Sequence, residues 1–275
     1  MNDSAASSGI ILHDYKLPVK GIKKKILYHI SDIHLAHSDT PSTEQKELTY
    51  EQWLSGWPGF AISHGEPHTQ AQMKKPEEHL GCLLELAGSG DAIVMTGDIC
   101  DRVSHTNLRI LDPVLGKLSK PWLAVCGNHD TAENIPDGYL YSQIKLPVQI
   151  LDLGDLILFG IDNSQRQVTA AQCNQLRQVL ELGKPVIIVM HIPIMTAGNA
   201  ALLTACGDYF RLNHPDASAE TLAFIDLIRQ NASRIIAVLA GHLHFHNESE
   251  IAPGLPQIVV SQSVLGNINR YEIGE

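Results

Sequence analysis

Ile26-Leu27-Tyr28-His29-Ile30-Ser31-Asp32-Ile33-His34 sets the pattern on which the fold turns. Ile26–Ile30 is short, apolar and bounded by lysines, as a buried strand is, and a carboxylate and an imidazole follow its carboxyl end. The arrangement recurs along the chain. Gly97-Asp98 follows the strand-like run Ala92–Thr96, and Gly127-Asn128-His129-Asp130 follows Trp122–Cys126. His191 follows Val186–Met190, and Gly241-His242-Leu243-His244 follows Ile235–Leu239. Oxygen or imidazole donors thus sit repeatedly at strand carboxyl ends, the edge where loops of an open α/β sheet converge on one crevice.

The remaining periodicity supports an α/β chain. Val148–Leu151, Leu156–Ile161 and Ile258–Ser261 read as further strands. Thr169–Leu182 sets Cys173, Leu176 and Leu180 on one helical face, with Thr169 as its cap, and Ser218–Gln230 and Leu80–Ala87 are also helix-like. Strands alternating with helices imply largely parallel pairing. Two late strands with no helix between them imply an antiparallel part. The whole of 1–275 reads as one domain, with 36–90 as a long insertion: about fifty residues where a crossover needs only a dozen or more. It holds Trp53, Trp57 and Phe60 among Pro and Gly, and two readings stay open. One is a lid, with Trp53 and Trp57 touching substrate; the other is a structural insertion or a dimer contact. Lys23–Lys25 read as a solvated strand entrance.

A chain of 275 residues with 44% hydrophobic content can bury a substantial core. Its net charge of −10 disfavours nucleic acid as a partner. No apolar run approaches the ~18 residues of a membrane span. The five scattered cysteines contain no C-x-x-C pair, which argues against a disulfide framework and fits a reducing compartment. With no signal-peptide core in view, the expectation is a cytoplasmic protein.

The donor chemistry narrows the function. Asp32, His34, Asp98, Asn128, His191, His242 and His244 offer carboxylate, imidazole and amide oxygen without thiolate, a set that suits Mn, Fe or Zn. They are too many for one tetrahedral ion and suit two divalent ions sharing a ligand. Asp98, mid-cluster in chain order, is the candidate bridge, one oxygen to each ion. Two ions ~3.5–4 Å apart can hold a bridging hydroxide and clamp a phosphoryl group for in-line displacement.

Asp-x-His, Gly-Asp, Gly-Asn-His-Asp, a strand-end His and Gly-His-x-His, in that order, resemble the calcineurin-like metallophosphoesterases. The resemblance implies a four-layer sandwich of two mixed sheets flanked by helices. It places Asp32, His34 and His244 with Asp98 on one ion, and Asn128, His191 and His242 with Asp98 on the other. It makes His129 the proton donor to the leaving group and Asp101 the residue that orients it. Arg102 matches a phosphate-gripping arginine of the protein phosphatase branch. Asp101 stands where purple acid phosphatases carry Tyr. The last two motifs look most like the class III cyclic-nucleotide phosphodiesterases and their bacterial relatives. That branch implies a small phosphodiester substrate, of nucleotide or glycerol type, with a phosphomonoesterase as the alternative. A non-catalytic interaction module on this fold would have no reason to keep every donor. Outside the motifs, His29, His79, His105, His214 and His246 read as packed or surface residues, Cys100 and Cys126 as small buried hydrophobes, and Asp130 as a loop tie.

Overall fold

The structure, a computed structural model, describes residues 9–37, 39 and 76–275. Trp53 and Trp57, with most of the 36–90 insertion, lie outside these residues. Among the described residues, eleven strands form two sheets. The first sheet contains β1 (Ile11–Leu17), β2 (Lys25–Ile30), β3 (Ala92–Met95), β4 (Trp122–Ala124) and β11 (Asn267–Ile273), in the order β1-β11-β2-β3-β4. The second contains β5 (Val148–Asp152), β6 (Ile157–Ile161), β7 (Val186–Val189), β8 (Ile235–Ala240), β9 (Asn247–Ala252) and β10 (Leu255–Val259), in the order β5-β6-β7-β8-β10-β9.

Each sheet has a parallel heart. β2 pairs parallel with β3 and β3 with β4, while β6, β7, β8 and β10 run parallel in the second sheet. These strands are apolar almost throughout because both their faces are covered. Leu27, Val94 and Leu123 of the first sheet meet Leu158, Val189 and Leu239 of the second in a shared apolar layer. The outer face of the first sheet packs under α1 (Pro76–Ala87) and α2 (His105–Leu115). The outer face of the second packs under α3 (Ala170–Glu181) and α5 (Ala219–Gln230), with Leu203 of α4 (Ala200–Cys206). Three apolar layers between four layers of elements make this the αββα sandwich.

Local chemistry starts the helices where the sequence indicates. Thr169 accepts from Gln172 N, and the Gln172 side chain returns a bond to the Thr169 backbone, completing a capping box before α3. Ser218 caps α5 by accepting from Thr221 N, and Ser104 caps α2 by accepting from Asn107 N. The sequence reading misses α2, which carries Pro113 inside its last turns and a polar start. It also misses β1 and β9, whose charged and apolar residues alternate because only one face is buried, and β11, whose buried Asn267 and Asn269 interrupt its apolar run. The expected antiparallel part late in the chain is present, but between other strands than the two read there. β8 and β10, the two strands read there, are parallel, and the antiparallel partner of β10 is the polar β9 between them in sequence. Lys24 and Lys25 form ion pairs with Glu272 and Asp155, the solvated role expected of that basic run. Among the described residues no helix is long and apolar enough to cross a membrane.

Candidate metal centre

Past the ends of β2 and β3 the two loops continue to zip together. Asp32 N donates to Gly97 O at 3.1 Å, His34 N to Asp98 O at 3.0 Å and Leu35 N to Ile99 O at 2.9 Å. Asp32, His34 and Asp98 adopt left-handed backbone with φ of 55°, 53° and 50°, and His242 and His244 beyond β8 do so with φ of 71° and 59°. Asp and His tolerate this region better than most side chains, but each instance still costs on the order of 1–3 kcal/mol. Gly127 and Gly241 let the loops approach. A Cβ on Gly127 would strike Asp98 Oδ1 and N, and one on Gly241 would strike Ser31 Oγ and Asp32 Oδ2.

The crowding brings two donor groups together. Asp32, His34 and His244 form one, with His244 Nε2 3.1 Å from Asp32 Oδ1 and 3.1 Å from His34 Nε2. Asp98, His191 and His242 form the other, with His191 Nε2 3.3 Å from Asp98 Oδ2 and 2.9 Å from Asn128 Oδ1. Asp98 Oδ2 lies between the groups, since His34 Nε2 is 3.9 Å from it on the other side. Asp98 Oδ1 instead accepts from His129 N at 2.8 Å. One oxygen, Oδ2, thus faces both groups, and the Asn128 loop donates to the other.

Charge and burial fit this set to cations. Asp32 and Asp98 are at most 1% exposed, and among the described residues Asp32 Oδ1 and Asp98 Oδ2 face imidazole nitrogens of the cluster. A buried carboxylate is costly unless a positive charge meets it. Burial pushes both carboxyls up. The imidazoles override it: His244 and His34 hold Asp32 well below the usual carboxylate range, and His191 and His34 hold Asp98 low. In return, burial pushes His34 down but Asp101 and Asp32 lift it to about 10. Burial likewise opposes His191, which Asp98 lifts to about 9. Burial and His191 press His242 down to about 3, and burial lowers His244. Positive charge is what these carboxylates require, and two divalent ions answer that requirement.

Partners behind the cluster fix the rings. His191 Nδ1 is 2.6 Å from Thr96 O, leaving Nε2 to face Asp98. His242 Nε2 is 3.3 Å from Tyr209 O, which leaves Nδ1 for the cluster. Such outer bonds set tautomer and orientation in metal-binding histidines. Asp101 Oδ1 is 3.1 Å from His129 Nδ1 and 3.3 Å from His34 Nδ1, so it orients His34 as well as His129. His129 is 31% exposed at the rim; burial lowers it, but the bond to Asp101 raises it above the ordinary value. Asp130 is fully buried and ties more than its own loop. It accepts from Gly127 N at 2.7 Å, Ile99 N at 2.9 Å, Asp98 N and Cys100 N at 3.1 Å, and Tyr141 OH at 2.6 Å.

Sequence reasoning thus places the seven donors, His129 and Asp101 in one site. It misses the Thr96 and Tyr209 carbonyls, because carbonyl positions leave no trace in residue identity. It also misses Asn163, whose Oδ1 accepts from His191 N at 3.0 Å and Ile192 N at 3.1 Å; an Asn after a strand, in Asp162-Asn163-Ser164, was its only signal. Arg102 follows Asp101 with an exposed side chain. Cys100 and Cys126 are buried thiols pushed up by burial, as packed cysteines are.

Solved structures share this architecture. A dimetal phosphatase from Danio rerio aligns over 87% of this chain and 88% of its own, at 12% identity and a TM-score of 0.57. A protein of Thermus thermophilus aligns over 88% of this chain and 91% of its own, at 11% identity and a TM-score of 0.51. A purple acid phosphatase from yellow lupin (Lupinus luteus) seeds aligns over 90% of this chain and 45% of its own, at 13% identity and a TM-score of 0.53. At these identities the likeness shows the fold. No curated protein sequence matches the chain. A family model described as calcineurin-like phosphoesterase matches residues 26–246, a span that includes all the donor motifs. The chain belongs to the calcineurin-like phosphoesterases and is a metal-dependent hydrolase of phosphate esters.

Proposed function

We propose that this chain hydrolyses a small-molecule phosphodiester, of nucleotide or glycerol type, at two divalent ions held on either side of Asp98. Asp32, His34 and His244 would hold one ion, and Asn128, His191 and His242 the other, with Asp98 shared. Mn or Fe suits this oxygen and imidazole set best in the cell, with Zn accepted on purification. The observation that carries the reading is Asp98 Oδ2, reached from His34 on one side and His191 on the other.

When bound, the ions would bring the pKa of water towards neutrality and neutralise phosphoryl charge. The chain's own residues divide the remaining work. Asp32 and Asp98 supply the negative charge that holds the cations. Asp130 fixes the Asp98 and Asn128 loops at their spacing. His129 stands at the exposed rim with Nδ1 held by Asp101, so Nε2 is the atom that donates a proton to the leaving oxygen. Such donation contributes ~10²–10⁴-fold. Arg102, exposed beside Asp101, is assigned to grip a phosphoryl oxygen.

The reading extends to the whole of 1–275 as one catalytic domain; the assignment of Trp53 and Trp57 to substrate falls outside the described residues. The five free cysteines fit a reducing compartment, and we place the protein in the cytoplasm. Elemental analysis after reconstitution with excess Mn tests the site, with about two ions per chain expected and saturation at one overturning it. A panel of p-nitrophenyl diesters and monoesters then tests the substrate: kcat/KM should be higher for diesters, and a monoester preference overturns the diester assignment.

A further inference from the structure

The loop after β6 is a strand end on this edge to which the motifs assign nothing. β6 runs parallel with β7, so its carboxyl end opens on the side where His191 lies. The loop carries Arg166, whose φ is +58°. Six non-glycine residues have positive φ among the described residues, and the other five are Asp32, His34, Asp98, His242 and His244. A long side chain in this region is strained, and strain persists where the surroundings enforce it and function uses it. The enforcement is present. Arg166 N donates to Asn163 O at 2.8 Å, Arg166 O is 3.2 Å from His214 Nε2, and Asn163 is itself fastened to the backbone of His191 and Ile192.

The strained backbone aims a cation at the site. The guanidinium carbon lies 5.3 Å from the centroid of the Tyr209 ring, and that ring lies 5.4 Å from the ring of His242. Tyr209 is 47% exposed, so the pair is accessible. Arg211, Arg229 and Arg270 each have a carboxylate partner. Arg166, in a chain of net charge −10, has none among the described residues.

We infer that Arg166, seated on Tyr209 one ring beyond His242, is a subsite for a second anionic group of the substrate. The inference rests on the phosphoesterase reading above. The guanidinium fork matches two oxygens of a phosphoryl or carboxylate group. The substrate class is then a phosphate ester carrying a further negative charge a few bonds from the phosphorus under attack.

Three p-nitrophenyl diesters with one leaving group test this: methyl, an alkyl arm ending in phosphate, and the same arm ending in carboxylate. In the parent enzyme with Mn, an anionic arm should raise kcat/KM ~10-fold or more, chiefly through KM, as a charge-assisted hydrogen bond does. Arg166→Gly and Arg166→Asn both suit the left-handed backbone and should abolish that advantage, while Arg166→Lys should keep part of it. The two anionic arms distinguish a phosphoryl from a carboxylate partner. A parent indifferent to the arm, or an advantage that survives both substitutions, overturns the subsite. A parent that hydrolyses none of the three overturns the diester assignment, and the subsite with it.

Discussion

Leu27, Val94, Leu123, Leu158 and Val189 between the sheets are buried to the same degree as Asp32, His34, Asp98 and His191 at the sheets' edge, all 2% exposed or less. Chemically the two regions are opposites. The inter-sheet layer is aliphatic and sits on regular strands. The edge holds carboxylates and imidazoles on left-handed backbone, two residues beyond the end of β2. Full burial of an aliphatic side chain stabilises by roughly 1.5–3 kcal/mol. Burial of charge and left-handed backbone oppose folding, and cations offset that only once bound. The edge is tolerable because the layer next to it is so uniformly apolar.

The largest separation between the regions is expected from Asp98→Asn. It removes the charge shared by both halves of the cluster, so activity should fall to background. Mn at 100 times its Kd should stabilise the parent by about 2.7 kcal/mol, and the variant's Tm should not respond. A Tm rise of equal size in both proteins would break the assignment of Asp98 as the shared ligand.

His129→Ala sharpens the division within the edge itself. Metal content should stay at the parent's value, while kcat on alkyl esters falls ~10²–10⁴-fold and p-nitrophenyl esters, whose leaving group needs no proton, lose far less. Equal losses on both ester types would remove His129 from the acid's role. Leu158→Ala probes the other region. A cavity between the sheets should cost about 2–5 kcal/mol in denaturant unfolding, with metal stoichiometry per folded chain unaltered. Loss of metal in that variant would show that the two regions are not separable.

The same contrast explains what the sequence made legible. The buried strands announce themselves as β-branched runs, and the donors follow them at fixed offsets, so the parallel heart and the cluster could be read together. β1 and β9 sit at sheet edges, where Asp14, Lys16, Glu248 and Glu250 point outward and dilute the strand signal. Asp101 was legible as the partner of His129, but not of His34, because the second contact depends on how the β2 and β3 loops zip together. Arg166 gave no motif at all. Its signal is a backbone dihedral, which only three dimensions display.

The smallest expected effect lies where the two regions meet. His29, within β2, is fully buried directly behind the cluster. Its Nε2 is 2.8 Å from Thr96 Oγ1, and its Nδ1 is 3.1 Å from Tyr271 OH, which also accepts from Asn269 Nδ2 at 3.0 Å. With Tyr271 OH on Nδ1 and Thr96 Oγ1 on Nε2, both ring nitrogens of a neutral imidazole have a hydrogen-bond partner. Burial accordingly pushes it down to about 3. The folded value lies below the ordinary 6.5, so the unfolded chain takes up the proton first. The contribution is complete above pH 6.5 and is lost as pH falls towards 3, amounting to about 2 kcal/mol between pH 6.5 and pH 5. His29→Gln keeps a donor and an acceptor but cannot titrate. Urea unfolding of chelated parent and variant at pH 7, 6 and 5 isolates the term, because the cluster histidines are common to both and cancel. The variant's loss of stability on acidification should be smaller by that amount, and parallel losses would show that His29 does not stay neutral in the folded protein.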